Sequence, residues 1–203
     1  MDASSDPESG SAGDVVYAYK PSLLGAPCEF RLTPLGLEWS RGRHMNRIPY
    51  ERIRRLRLSF RPVSMQSHRF VAEIWSAGEP KLQICSVSWR SILEQEPLDA
   101  AYRRFIAELH HRLAQAGSAV SLEAGLPPAF YWIGVALFVA IALGLAALTA
   151  RALQVGAYGG AAIVAGFLAL FLWQIGTFVR RNRPLRYRAD ALPPQVLPRV
   201  RSE

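Results

Sequence analysis

The sequence predicts an α+β chain: an antiparallel β-sheet or barrel with one C-terminal capping helix, followed by a two-helix transmembrane hairpin. Three observations predict it. Apolar residues recur at every second position from Tyr17 to about Trp89. They then recur at steps of three or four from Leu98 to Leu113. Between Ala129 and Val179 the only charged residue is Arg151, which is a membrane pattern rather than a core pattern.

Residues 1–14 carry four acids (Asp2, Asp6, Glu8, Asp14) and no base. With their Ser and Gly they read as a disordered acidic leader, without the basic-then-apolar pattern of a signal peptide. A β domain over residues 15–117 follows. Cys28, Phe30 and Leu32 alternate with Glu29 and Arg31; after the turn Thr33-Pro34-Leu35-Gly36, Leu37 and Trp39 alternate with Glu38 and Ser40. Further strands are expected at Leu56/Leu58/Phe60, Phe70/Ala72/Ile74 and Leu82/Ile84, with Val87 closing the series. Short alternating runs between Gly-, Pro- and Arg-rich turns predict an antiparallel, half-solvated sheet.

From Glu96-Pro97 the period changes. Leu98, Ala101, Tyr102, Phe105, Leu109 and Leu113 fall on one face of a helix. Pro97 suits the first turn, and Gly117 suits a position just past the end. Trp39, Phe60 and Phe105 are the expected core anchors. Residues 118–128 read as a linker into the membrane.

The uncharged run 129–150 has 22 residues. At 1.5 Å per residue it is about 33 Å long, enough for a hydrocarbon core of about 30 Å. A second run, 155–179, is long enough to cross with some tilt. Only a short turn separates them, so the region 129–179 is expected to be an antiparallel hairpin. Five arginines crowd residues 180–188, against one in the turn. The rule that basic flanks stay inside puts both termini in the cytoplasm, and makes residues 180–203 a basic, Pro-containing cytoplasmic tail. Small residues at four-residue spacing (Ala136, Ala140 and Gly144 on the first helix; Gly156, Gly160, Ala162 and Gly166 on the second) suit close packing within the hairpin or against a partner helix. The spans hold no Asp, Glu, Lys or His, which argues against a proton or ion pathway.

Two short motifs carry a family resemblance. Leu32-Thr33-Pro34-Leu35-Gly36-Leu37-Glu38-Trp39 is similar to the opening hairpin of the pleckstrin-homology-like domain of bacterial membrane proteins. Ile48-Pro49-Tyr50-Glu51-Arg52-Ile53 resembles the link into that fold's next long strand. The helix ending near Leu113 is similar to its C-terminal helix. The resemblance covers residues 15–117. It implies a capped β domain beside transmembrane segments, with no shared catalytic residue.

Arginine supplies 22 of the 24 bases, a composition that suggests a GC-rich bacterial genome, so the expected location is the bacterial inner membrane. Eight arginines lie between Arg41 and Arg61. Arg55 and Arg57 alternate with Leu56 and Leu58 and so point to solvent; Arg41 and Arg43 occupy a loop. These four are the candidate contacts for an anionic lipid or a partner, because a guanidinium fork matches phosphate. A solvated sheet face is the bland alternative. Nucleic acid is not expected, since no basic-aromatic binding motif accompanies them.

Cys28 and Cys85 read as buried reduced thiols, with a disulfide between them as the alternative, and their spacing gives no metal motif. Of the four histidines, His110 and His111 are adjacent on the helix and no pair has ligand spacing; surface positions are expected. Neither a phosphate-binding Gly loop nor a nucleophile elbow occurs. The expectation is therefore a non-enzymatic chain without cofactor or metal. It is expected to act as scaffold or accessory subunit among membrane lipids, with a membrane-protein partner or as a homo-oligomer; the alternative is an anionic-lipid-responsive membrane sensor that uses the arginine-rich face, and an enzyme or transporter component comes third. The repeated Leu-Pro elements Leu192-Pro193 and Leu197-Pro198 would serve as an extended docking peptide or a disordered end.

Overall fold

The computed structural model describes residues 14–62, 68–91 and 95–198, leaving aside the side chains at 62 and 68; of the acidic leader, only Asp14 is among them. Alternation becomes sheet directly. β1 (Val15–Tyr19), β2 (Cys28–Thr33), β3 (Gly36–Arg41) and β4 (His44–Ile48) form a four-stranded antiparallel meander in that order. Tyr17, Tyr19, Cys28, Phe30, Leu32 and Leu37 are buried, and the residues between them look outward or are partly covered. The β2–β3 turn requires Gly36. Its φ is +150°, and a Cβ there would lie 2.5 Å from the Ile48 carbonyl oxygen. Trp39 is half-buried rather than buried, because β3 pairs with the exposed edge strand β4 at that end.

A 3-10 turn, Tyr50–Arg52, leads into a second sheet. The Tyr50 hydroxyl donates to the Thr33 carbonyl at 2.8 Å, and the Tyr50 carbonyl accepts from the Ser118 hydroxyl at 2.9 Å. β5 (Ile53–Pro62), β6 (His68–Ser76) and β7 (Leu82–Cys85) pair antiparallel. Leu56, Leu58, Phe60, Phe70, Ala72, Ile74, Leu82 and Ile84 are all buried, as their spacing predicted. β8 (Val87–Trp89) and β9 (Gln95–Pro97) make a small ribbon before α1 (Asp99–Gln115). α1 buries Tyr102, Phe105, Ile106, Leu109, His110 and Leu113. Ala101 is exposed, and Pro97 ends β9 instead of sitting in the first turn of the helix. Gly117, at φ +60°, lies just past the helix as expected.

Both sheets and α1 share one apolar core. Tyr17 and Tyr19 of the first sheet donate to the Cys85 and Gln83 carbonyls of β7, at 2.6 and 2.5 Å. Among the described residues no ladder joins the two sheets, so the barrel is not closed. Cys28 and Cys85 are both free and buried, and burial pushes both thiols up from their ordinary value.

Beyond α1 the structure departs from the linker-and-tail expectation. Within 118–128 lies β10 (Ser121–Ala124), which pairs parallel to β5 with Ser121 opposite Arg55 and Ala124 opposite Leu58. The tail folds back onto the same place. β11 (Leu185–Arg186) pairs antiparallel with β10, giving the second sheet the order β11-β10-β5-β6-β7. Further on, a 3-10 turn at Pro194–Val196 packs against β5, Val196 and Leu197 enter the core, and Arg103 Nη1 donates to the Pro198 carbonyl at 3.1 Å. The tail is therefore neither a free docking peptide nor a loose end. Its apolar residues find their partners on the same chain.

α2 (Pro128–Gln154) and α3 (Tyr158–Arg181) are long and apolar enough to cross a bilayer, at about 40 and 36 Å. None of the most apolar stretch of either helix is buried against the rest of the chain. α2 runs on through Arg151, so the turn begins at Val155. Gly156, at φ +76°, belongs to that turn and not to a packing face of the second helix. Half-buried positions include Val135, Phe138, Ala142, Leu145 and Thr149 on α2, and Val164, Leu168, Phe171 and Ile175 beside buried Ala161 on α3. Phe138 and Phe171 stack at 5.1 Å.

Ala136, Ala140 and Gly144, like Gly160, Ala162 and Gly166, are exposed, and a Cβ at any of these three glycines would meet nothing within 4 Å. The seam thus mixes small residues (Ala142, Ala161) with larger ones (Val135, Phe138, Leu145, Leu168, Phe171) at three- and four-residue steps, on faces other than the expected stripes. Strict four-residue spacing drifts about 40° round the helix per step and leaves a flat seam.

Candidate functional site

The outer face of the second sheet is a ladder of charge. Across it the register aligns Glu123 of β10, Arg57 of β5, Glu73 of β6 and Gln83 of β7. Arg57 donates through Nε and Nη2 to Glu123 Oε2, at 3.1 and 2.6 Å. Glu73, whose side chain is only 6% exposed, takes Arg61 at 3.1 Å and Lys81 at 3.0 Å. The ring of Trp75 lies under three cations: Arg55 at 5.3 Å, Arg57 at 5.4 Å and Lys81 at 5.7 Å. Such stacking fixes guanidinium planes as well as charges. Arg57 therefore does not point freely to solvent, as alternation alone suggested. Its side chain is 12% exposed because β10 covers it.

Where β10 and β11 meet β5, the chain encloses a cleft of about 360 Å³ lined by Arg55, Arg57, Glu123 and Arg186, with Leu126, Pro128 and Leu185 on its apolar side. Arg186 stands opposite Glu123 in the β10–β11 register, and Arg55 Nε lies 3.7 Å from Glu123 Oε1. Burial alone would raise the Glu123 carboxyl. The Arg57 hydrogen bond, with the charges of Arg57 and Arg55, outweighs it and holds the group below the usual carboxylate range.

Backbone contacts hold the two helix ends against this cleft. Gly125 N donates to the Leu58 carbonyl at 2.8 Å, and Leu126 N to the Asn182 carbonyl at 3.0 Å. Gly125 has φ +84°, and a Cβ on it would lie 2.5 Å from the carbonyl oxygens of both Asn182 and Arg183. Only glycine allows that approach. Asn182 is fully buried and accepts the Phe60 N–H through Oδ1 at 3.3 Å. The Arg181 guanidinium lies 4.6 Å over the Phe60 ring.

The four arginines singled out in the sequence are not one face. Arg55 and Arg57 meet at Glu123 on the second sheet. Arg41 lines a different cleft of about 330 Å³ with Tyr19, Phe30, Trp39, His44 and Lys81, and Arg43 is exposed in the β3–β4 turn. β4 and β5 belong to separate sheets, so neighbours in sequence part in space. Glu123 and Arg186 went unnoticed because they lie in the presumed linker and tail. The alternation in Ser121-Leu122-Glu123-Ala124 and in Leu185-Arg186-Tyr187-Arg188 is the signal that could have found them.

His110 corrects the surface reading of the histidines. It is 1% exposed, with Nδ1 at 2.7 Å from the Ile106 carbonyl and Nε2 at 2.9 Å from the Tyr187 hydroxyl. A neutral ring donating at Nδ1 and accepting at Nε2 satisfies both contacts. Burial lowers its pKa, more than the Ile106 hydrogen bond raises it. His44 and His111 are exposed.

Among the described residues no group of three or more His, Cys, Asp or Glu is placed to hold a metal ion. Comparison with protein-family profiles, with curated proteins and with solved structures finds no match to this chain.

Proposed function

We propose that this chain is a non-enzymatic membrane protein that presents a pleckstrin-homology-like module on the cytoplasmic face of a bacterial inner membrane, as scaffold or accessory subunit of a membrane assembly. One observation carries the reading. The residues leading into α2 and those leaving α3 pair with each other, as β10 and β11, inside the module's own sheet. A hairpin that starts and ends in one sheet puts both ends on one side of the bilayer, and it holds the module in a set orientation rather than on a tether. The arginine-rich exit at 180–188 favours the cytoplasm as that side. The family part of the reading draws on the Leu32–Trp39 hairpin, on the link from Ile48 to Ile53 into the ten-residue β5, and on α1. The outward-facing small residues of α2 and α3 offer a partner helix a close approach.

A reporter fused at Gly156 tests the topology. It should read as external, with both termini cytoplasmic; a cytoplasmic signal at Gly156 sinks the orientation. Cross-linking in intact membranes tests the scaffold role, which predicts a discrete adduct with a second copy or a stoichiometric partner. An exclusively monomeric chain refutes it.

A further inference from the structure

We propose that the cleft between β5, β10, β11 and the ends of the two spans binds the phosphate of an anionic glycerophospholipid. The inference rests on the membrane reading above and adds a ligand to it. Pro128, the first residue of α2, and Pro184, three residues past the end of α3, both line this cleft. It therefore opens between the two points where the chain enters and leaves the bilayer, at headgroup depth.

Charge and geometry suit a phosphate there. Three guanidinia, of Arg55, Arg57 and Arg186, surround the single carboxylate of Glu123, leaving a net charge of two positive. Arg57 is already engaged on Glu123 through Nε and Nη2, so it is a positioning residue that sets the shape of the cleft. Arg55 is held to Glu123 by charge alone, beyond hydrogen-bond reach, and its side chain is 47% exposed. Arg186 is exposed and makes no ion pair among the described residues. These two have N–H groups to offer a phosphodiester, and the planar fork matches two of its oxygens. Leu126 and Leu185 present apolar surface alongside, where the glycerol and first acyl carbons of a lipid would lie. A soluble phosphate ester would leave that surface wet. The volume of about 360 Å³ falls within the range of small-molecule sites.

The full-length chain, reconstituted in nanodiscs of phosphatidylcholine containing a minor fraction of phosphatidylglycerol, is released and weighed by native mass spectrometry. Phosphatidylglycerol should be retained in preference to phosphatidylcholine. Arg55→Gln and Arg186→Gln should each lower that retention about fivefold, and the pair about 25-fold, as expected for arginines at a charged leaflet. Arg41→Gln with Arg43→Gln, in the other cleft and turn, should leave it unchanged. Equal retention by the Arg55→Gln/Arg186→Gln chain overturns the site.

Thermal unfolding of each variant in pure phosphatidylcholine discs separates lost binding from lost fold. If the double Gln variant unfolds, the single variants Arg55→Gln and Arg186→Gln are read instead, and undiminished retention by both overturns the site. Inorganic phosphate at millimolar concentration should not stabilise the chain in phosphatidylcholine discs. Stabilisation matching that given by phosphatidylglycerol overturns the lipid in favour of a soluble phosphate. Carbonate washing of native membranes tells the two readings apart: a chain that washes off has lost the membrane reading, and one that stays but holds no anionic lipid has lost only this site.

Discussion

Truncation after Asp190 removes the last segment of chain that the core accepts. Val196 and Leu197 are 0% and 4% exposed, and they lie against the β5 side of the second sheet. Fully burying a Val or Leu side chain is worth about 1.5–3 kcal/mol, so losing the two removes about 3–6 kcal/mol. The Arg103 hydrogen bond to the Pro198 carbonyl adds about 1 kcal/mol at most, being partly exposed. Against these stands the entropy regained by the freed segment, so a net loss of about 3–4 kcal/mol is expected. That is a large share of the 5–15 kcal/mol typical of a domain. For a domain of this size it corresponds to roughly 10 °C in melting temperature.

The assay is thermal unfolding of the full and truncated chains in the same detergent, followed by tryptophan fluorescence. Leu197→Ala alone, expected to cost about 2–5 kcal/mol, serves as the point-mutant check. A truncated chain melting within 2–3 °C of the full one, about 1 kcal/mol, would refute the reasoning and mean that residues 191–198 merely lie on the surface.

Stability should also fall with acid below about pH 6.5, because burial lowers the folded pKa of His110 beneath its unfolded value and the unfolded chain then binds the extra proton. Melts at pH 7.5 and pH 5 should differ in the wild type and differ less in Tyr187→Phe/His110→Gln; equal pH dependence would exclude His110 as the cause. Asn182→Ala should cost about 1 kcal/mol, since it removes the hydrogen bond that Asn182 Oδ1 accepts from the Phe60 N–H; an unchanged urea midpoint would contradict this. Gly125→Ala should be among the most damaging single changes, at about 2 kcal/mol or more, through positive φ and carbonyl clashes together. Normal yield and melting of that variant would mean that the β10–β11 corner opens without cost.

Elements whose pattern is local are legible in the chain. Strand alternation in Leu56/Leu58/Phe60 and helical spacing in Tyr102/Phe105/Leu109 follow from side-chain direction along one segment, and the two long apolar helices follow from the length of an uncharged run. The pairing of elements depends on segments far apart in the chain. β10 has four residues and β11 two, so their alternation is only a faint signal, and what makes them strands is the edge of β5 some 66 positions earlier, where Arg57 meets Glu123. His110 looked like a surface residue because its acceptor role needs Tyr187, 77 positions on. The four arginines looked like one face because the sequence does not mark where β4 leaves one sheet and β5 starts another. Likewise the small-residue stripes showed where helices can approach, not which side of α2 meets α3. That depended on how Phe138 and Phe171 interlock. Burial of a charge, a ring or a helix face is a property of two segments at once, and one segment's pattern holds only half of it.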